Sequence, residues 1–180
     1  MKKILFTITI VAIFLGYGIY EQVNKKTIKS KRVACQEKSI TFEKIVDKKK
    51  VFESIQLIKT QNIKIVSDIE YSKIMKSNLI NYYNEEDSVN DLKSVLAKYY
   101  VNEHKDSRSL VIDYYIYEND REDKGKKNKK AKLYSGYLVF EFKLDGKMIY
   151  KIQTDYMKDD GSDIKERMNC VFKSFTSITH

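Results

Sequence analysis

Acid–base chemistry in this chain would have to come from three groups of carboxylates or from two isolated histidines. The acids lie at Glu85-Glu86-Asp87, at Glu118/Asp120/Glu122/Asp123 and at Asp155/Asp159/Asp160/Asp163. General acid–base work needs a carboxyl group placed beside the reacting proton and tuned in pKa by its surroundings. Only Asp155, Asp159 and Asp160, near the end of an expected strand, suit that work. The segment "DYMKDDGSD" is rich in oxygen ligands, but it lacks the acid-x-acid-x-acid-Gly run and the closing glutamate of a calcium loop. It reads as a solvated turn leading into a helix. His104 sits in "NEHKDSR" and His180 is the last residue, each without a coordinating neighbour. There is no glycine-rich phosphate loop, no HExxH and no GxSxG. The expectation is a protein without catalytic residues, metal or cofactor. A carboxylate-dependent enzyme is the competing reading.

Two cysteines, Cys35 and Cys170, stand 135 positions apart with no histidine near either, so they do not form a zinc motif. In an oxidising compartment they can pair. Alternatively, Cys170 is a small buried residue on an apolar helix face and Cys35 a thiol in a linker.

The net charge of +9 is concentrated in two places. Residues 1–35 carry +6 and residues 124–132 carry another +6, which leaves −3 for the rest. The second cluster lies in "DREDKGKKNKKAK", Asp120–Lys132, between two expected strands. A connection of that length is functional or disordered more often than a plain turn. Lys124, Lys126, Lys127, Lys129, Lys130 and Lys132 form a candidate contact for an anionic lipid, an acidic protein or nucleic acid. The other reading is a solvated hairpin tip. Only four of the 34 basic residues are arginines, and bidentate base readout favours arginine. Sequence-specific nucleic-acid binding is therefore not expected. Five of the fourteen tyrosines (Tyr114, Tyr115, Tyr117, Tyr134, Tyr137) fall on two neighbouring strands. They are either a stacking platform or cross-strand packing.

The N-terminus addresses the compartment. Two lysines precede Ile4–Tyr20, a run without charge. As a helix it would span roughly 25 Å, enough for a thin hydrocarbon core. Residues 1–20 are expected to be an export anchor, or else a cleaved secretory signal. The five bases at Lys25, Lys26, Lys29, Lys31 and Arg32 argue for the opposite orientation by the positive-inside count. Residues 21–38 read as a polar, basic tether and 39–180 as the folded domain.

The elements that must position these groups follow from periodicity. Residues 39–46 alternate as a strand. Residues 48–59 fit a short helix or a strand, and 62–66 fit a short β-branched strand. Ser67–Glu70 has the spacing of a capping box, and Tyr71, Ile74, Met75, Leu79, Tyr82 and Tyr83 follow at helical spacing. A second helix is expected from Ser88, with Asn84–Asp87 as the break before it. Strands follow at 109–118, 133–143 and 147–156, with Asp145-Gly146 as a tight hairpin turn. A last helix starts at Asp163. The fold class is α+β in β-α-α-β-β-β-α order, with helices on one face of a mostly antiparallel sheet. This order resembles that of several small bacterial envelope modules, including transport-auxiliary and assembly lipoproteins, in topology only. The functional expectation is a membrane-anchored, extracytoplasmic, non-catalytic binding or scaffold module with an envelope protein as partner.

Overall fold

The computed structural model describes residues 29–125 and 133–178. The apolar run Ile4–Tyr20 and the lysines 126–132 lie outside the described residues, and so does His180. Among the described residues, no helix is long and apolar enough to cross a membrane.

Five strands form one sheet: β1 (Thr41–Ile45), β2 (Ile63–Glu70), β3 (Leu110–Glu118), β4 (Gly136–Leu144) and β5 (Lys147–Tyr156). Their spatial order is β1-β5-β4-β3-β2. Three pairings are antiparallel, and β2 lies parallel to β3. The helices are α1 (Lys48–Lys59), α2 (Glu85–Leu96) and α3 (Ile164–Thr176). The class is thus mixed α+β, with a strand-helix alternation at its start. A parallel neighbour cannot be reached by a hairpin, so β2 and β3 are joined by a long connection that holds α2.

Strand alternation sorts the sheet into two faces. Leu110, Ile112, Tyr114 and Ile116 of β3, with Leu138, Phe140 and Phe142 of β4, point to the buried side. They share one core with Val51, Ile55 and Ile58 of α1, Leu92, Val95 and Leu96 of α2, and Met168, Val171, Phe172 and Phe175 of α3. Phe142 and Phe175 stack at 4.1 Å between centroids, and Tyr114 stacks on Phe140 at 4.7 Å. Such pairs add about 0.5–1.5 kcal/mol beyond area burial. The other face is polar and ion-paired. Lys143 bridges Asp113 (2.6 Å) and Glu141 (3.2 Å), and Lys151 also reaches Glu141 at 2.7 Å.

Three local expectations change. Ser67–Glu70 is not a capping box. It is the end of β2, paired with Tyr114–Tyr117 of β3. Residues 71–83 are not a helix: they form a loop with one short 3-10 turn, Leu79–Asn81. Asn84 does not break a helix; it caps one. Its side chain accepts from the Asp87 N–H at 3.0 Å, and Asp87 accepts from the Asn84 N–H at 3.1 Å. The acids Glu85, Glu86 and Asp87 then occupy the first turn of α2, where the helix dipole favours negative charge. At Asp145-Gly146 both central residues have positive φ, 53° and 71°, the geometry a two-residue hairpin requires.

The polar stretch before Ser39 is partly structured. Cys35 and Cys170 of α3 are joined by a disulfide. Arg32 pairs with Glu43 at 2.9 Å and donates to the Ser174 carbonyl at 2.5 Å. Gln36 is buried and donates to the Ser174 hydroxyl at 3.0 Å. The folded unit therefore includes Ser30, whose N–H donates to the Thr41 carbonyl at 2.7 Å.

Candidate functional site

Three connections leave the sheet at one end: the β2–α2 loop (71–84), the β3–β4 connection (119–135) and the β5–α3 turn (157–163). The polypeptide reaches β1 at that end too, because Thr41 pairs with Thr154 near the close of β5. This end carries two of the three acid groups noted in the sequence.

Glu118 and Asp120 hold the β2–α2 loop. Glu118 is 3% exposed and Asp120 is 6% exposed. Glu118 accepts from the N–H groups of Ser72 (3.0 Å), Asn78 (2.9 Å) and Leu79 (3.1 Å), and from the Ser77 hydroxyl at 2.5 Å. Asp120 accepts from the Ser72 hydroxyl and from the N–H groups of Lys73 (3.1 Å), Ile74 (2.8 Å) and Met75 (3.3 Å). Burial alone would raise the Asp120 pKa. The hydrogen bonds from Ser72 and from the Ile74, Lys73 and Met75 backbone outweigh it and hold the carboxyl at about 2. These acids serve as structural acceptors. A loop without helical bonds needs partners for its N–H groups, and two strand-end carboxylates supply them.

The last acid group is divided. Asp163 is buried and accepts from the Met157 and Lys158 N–H groups at 3.0 and 3.2 Å and from Arg167 at 3.2 Å. Asp159 pairs with Arg121 at 2.8 Å and accepts from the Ser135 hydroxyl at 2.5 Å. Asp160 is exposed and accepts from the Ser162 N–H at 2.9 Å. Asp155 lies instead on the polar face of the sheet, opposite Tyr137 in the β4–β5 register. Its carboxyl is pushed up to about 6, chiefly by burial. Among the described residues, no group of three or more potential ligands could hold a metal ion.

The raised pKa of Asp155 has a consequence for stability. The folded value exceeds the unfolded value of about 3.9, so its contribution is full below pH 4 and is lost as pH rises through about 6. Asp155→Asn is expected to stabilise the domain at pH 7 by about 1–2 kcal/mol, after allowance for solvent screening. The gain should vanish below pH 4. Denaturant melts of both proteins at pH 3.5 and pH 7 check this, and an equal effect at both values would rule out burial of the charge as its cause.

The tyrosines separate by face. Tyr114 is in the core, with its hydroxyl 2.8 Å from that of Ser88. Tyr115, Tyr117 and Tyr137 cluster on the polar face, where Tyr117 and Tyr137 stack at 4.9 Å. Tyr134 is at the root of the β3–β4 connection, where its carbonyl accepts from the Asn119 side chain at 2.9 Å.

An apolar surface at the same end was not evident from the sequence. Ile74, Ile80, Tyr82, Leu133 and Met157 are between 46% and 66% exposed, and they make up five of the nine exposed large hydrophobics among the described residues. Tyr82 and Met157 line an open depression of about 600 Å³ with Asn78, Arg121, Lys158, Asp159 and Asp160. Gly161 closes the turn beneath it at φ 71°, and a Cβ there would lie 2.8 Å from Leu79 Cδ1. Gly161→Ala is expected to cost about 2 kcal/mol through backbone strain and the forced shift of Leu79, read as a lower thermal midpoint. Of the candidate lysines, Lys124 is exposed at this end, and Lys126, Lys127, Lys129, Lys130 and Lys132 lie outside the described residues.

No family model, curated protein or solved structure matches the chain. The reading of this surface rests on its own chemistry. An open depression, structural carboxylates and solvent-exposed aliphatic side chains suit contact with another surface better than enclosure of a small substrate.

Proposed function

We propose that the chain is a non-catalytic binding or scaffold module, held at a membrane by its N-terminal apolar segment and facing the extracytoplasmic side as an accessory of an envelope assembly. The observation that carries this reading is the Cys35–Cys170 disulfide. Disulfides of this structural kind persist in oxidising compartments and are rare in a reducing cytosol. The charged start and the uncharged run Ile4–Tyr20 support the same address. The carboxylates support a non-catalytic role: Glu118, Asp120 and Asp163 are occupied by backbone N–H groups, and Asp155 lies opposite Tyr137 on the polar face of the sheet. A reporter enzyme active only outside the cytoplasm, fused after His180, tests the orientation. Reporter activity is expected, and its absence together with activity of a cytoplasmic reporter would overturn the reading.

A second reading is favoured by the anchoring of the lysine-rich connection. Its roots are fixed by Asn119, whose N–H donates to Ser135 at 2.8 Å, and by the Arg121–Asp159 pair. The connection thus leaves from the loop end of the sheet, where its lysines would add diffuse attraction for an anionic partner. Changing Lys126, Lys127, Lys129 and Lys130 to glutamine should weaken binding to anionic vesicles and flatten its salt dependence. Unchanged binding would reduce the connection to a hairpin tip.

A further inference from the structure

We propose that the loop end of the sheet docks on the surface of the bilayer to which the chain is tethered, with Ile74, Ile80, Tyr82 and Met157 entering the headgroup boundary. The proposal rests on the membrane tether described above and adds an orientation of the domain to it.

Three observations converge. The first is shape and chemistry. Residues 71–82 hold two exposed lysines, Lys73 and Lys76, and no acid, interleaved with the exposed Ile74, Ile80 and Tyr82. Aliphatic and aromatic side chains flanked by lysines suit a lipid interface, where the rings and chains enter the boundary and the ammonium groups meet headgroups. The second is rigidity. The acceptors on Glu118 and Asp120 fix the loop backbone, so little ordering cost accompanies contact. The third is where the chain leaves the domain. Ser30 is bonded to Thr41 at this same end, and β1 lies three strand spacings from β3, about 14 Å. The eight residues 21–28 between the apolar run and the described domain can span at most about 28 Å. A tether that short holds this end near the bilayer and makes docking an intramolecular step.

Charge alone does not decide the contact. Lys73, Lys76, Lys124 and Lys158 favour an anionic surface, while Glu122, Asp160 and the exposed first-turn acids Glu85, Glu86 and Asp87 of α2 at the same end oppose it. Asp159 is neutralised by Arg121. Apolar insertion must therefore carry the docking, with lysine attraction secondary.

The test uses the full chain reconstituted in vesicles, with an environment-sensitive label at Asn81→Cys or, at the opposite end on the β4–β5 hairpin, at Lys147→Cys. A quencher is placed at the headgroup boundary of neutral vesicles and of vesicles containing phosphatidylglycerol. The label at 81 is expected to be quenched in both lipids and the label at 147 in neither. Ile74→Ser with Ile80→Ser should lower the docked-to-undocked ratio by about tenfold per residue. Lys73→Gln with Lys76→Gln should lower it by about fivefold per residue, in anionic vesicles only. If the chain floats with the vesicles but the label at 81 is unquenched, or the isoleucine variant is quenched like the parent, the docking proposal is wrong and the tether stands. An unquenched label at 81 would leave the apolar patch to a protein partner. If the chain does not float at all, the tether reading fails and the docking proposal with it.

Discussion

Replacing Cys35 and Cys170 together by serine is expected to lower the unfolding free energy by about 3–5 kcal/mol. The disulfide closes a loop of 135 positions, and a long closed loop removes much of the freedom of the unfolded chain. It also pins the segment containing Arg32 and Gln36 to α3, where Arg32 meets Glu43 and Gln36 meets Ser174. Without the bond, that segment is expected to fray before the sheet does. For a domain of this size the thermal midpoint should drop by about 10–15 °C, and reductant should produce the same drop in the parent protein and none in the variant. A midpoint unchanged by both the variant and the reductant would mean that the bond constrains nothing.

Glu118→Ala should produce the second largest loss, about 3 kcal/mol, because it strands several donors at once. The N–H groups of Ser72, Asn78 and Leu79 and the Ser77 hydroxyl all donate to this carboxylate. A buried donor left without a partner costs about 1–3 kcal/mol, and water admitted to the loosened loop offsets part of the total. Leu79 is fully buried, so release of the loop also loosens the core beneath it. Amide exchange at Asn78 and Leu79 should accelerate far more than exchange in β4, and equal acceleration at both would point to global unfolding. Asp120 adds a pH dependence. Its folded pKa of about 2 lies below the unfolded value of about 3.9, so its contribution is present above pH 4 and is lost as pH falls toward 2. The sign is opposite to that of Asp155.

Local signals were readable where the partners of a segment are its own neighbours. Asp145-Gly146 specifies its hairpin because two positive φ angles are needed there. The apolar spacing of Ile164, Met168, Val171, Phe172 and Phe175 marks α3 because all five face one core. The stretch 71–83 misleads for the converse reason. Tyr71, Ile74, Met75, Leu79, Tyr82 and Tyr83 have helical spacing, yet Ile74 and Tyr82 are exposed while Leu79 and Tyr83 are buried. The N–H groups of this stretch are taken by Glu118 and Asp120, some forty residues downstream, and no local pattern reports an acceptor that distant. Ser67–Glu70 was readable in another way. Ile63, Ile65, Ser67 and Ile69 alternate with Lys64, Val66, Asp68 and Glu70, so the period of two continues through the serine that looked like a cap. The exposed patch depended on the misread loop. Once 71–83 is taken as a helix, Ile74 and Tyr82 become core residues and the surface they form disappears from view.

If the domain lies oxidised outside the cytoplasm, Cys35 and Cys170 are paired in intact cells, and their thiol state can be read there. Cells are quenched in acid, denatured and treated with a mass-shifting maleimide, with and without prior reduction. No shift is expected without reductant, and a shift of two labels after it. Two labels without reductant, in protein taken directly from growing cells, would place the domain in a reducing compartment and rule out the extracytoplasmic address.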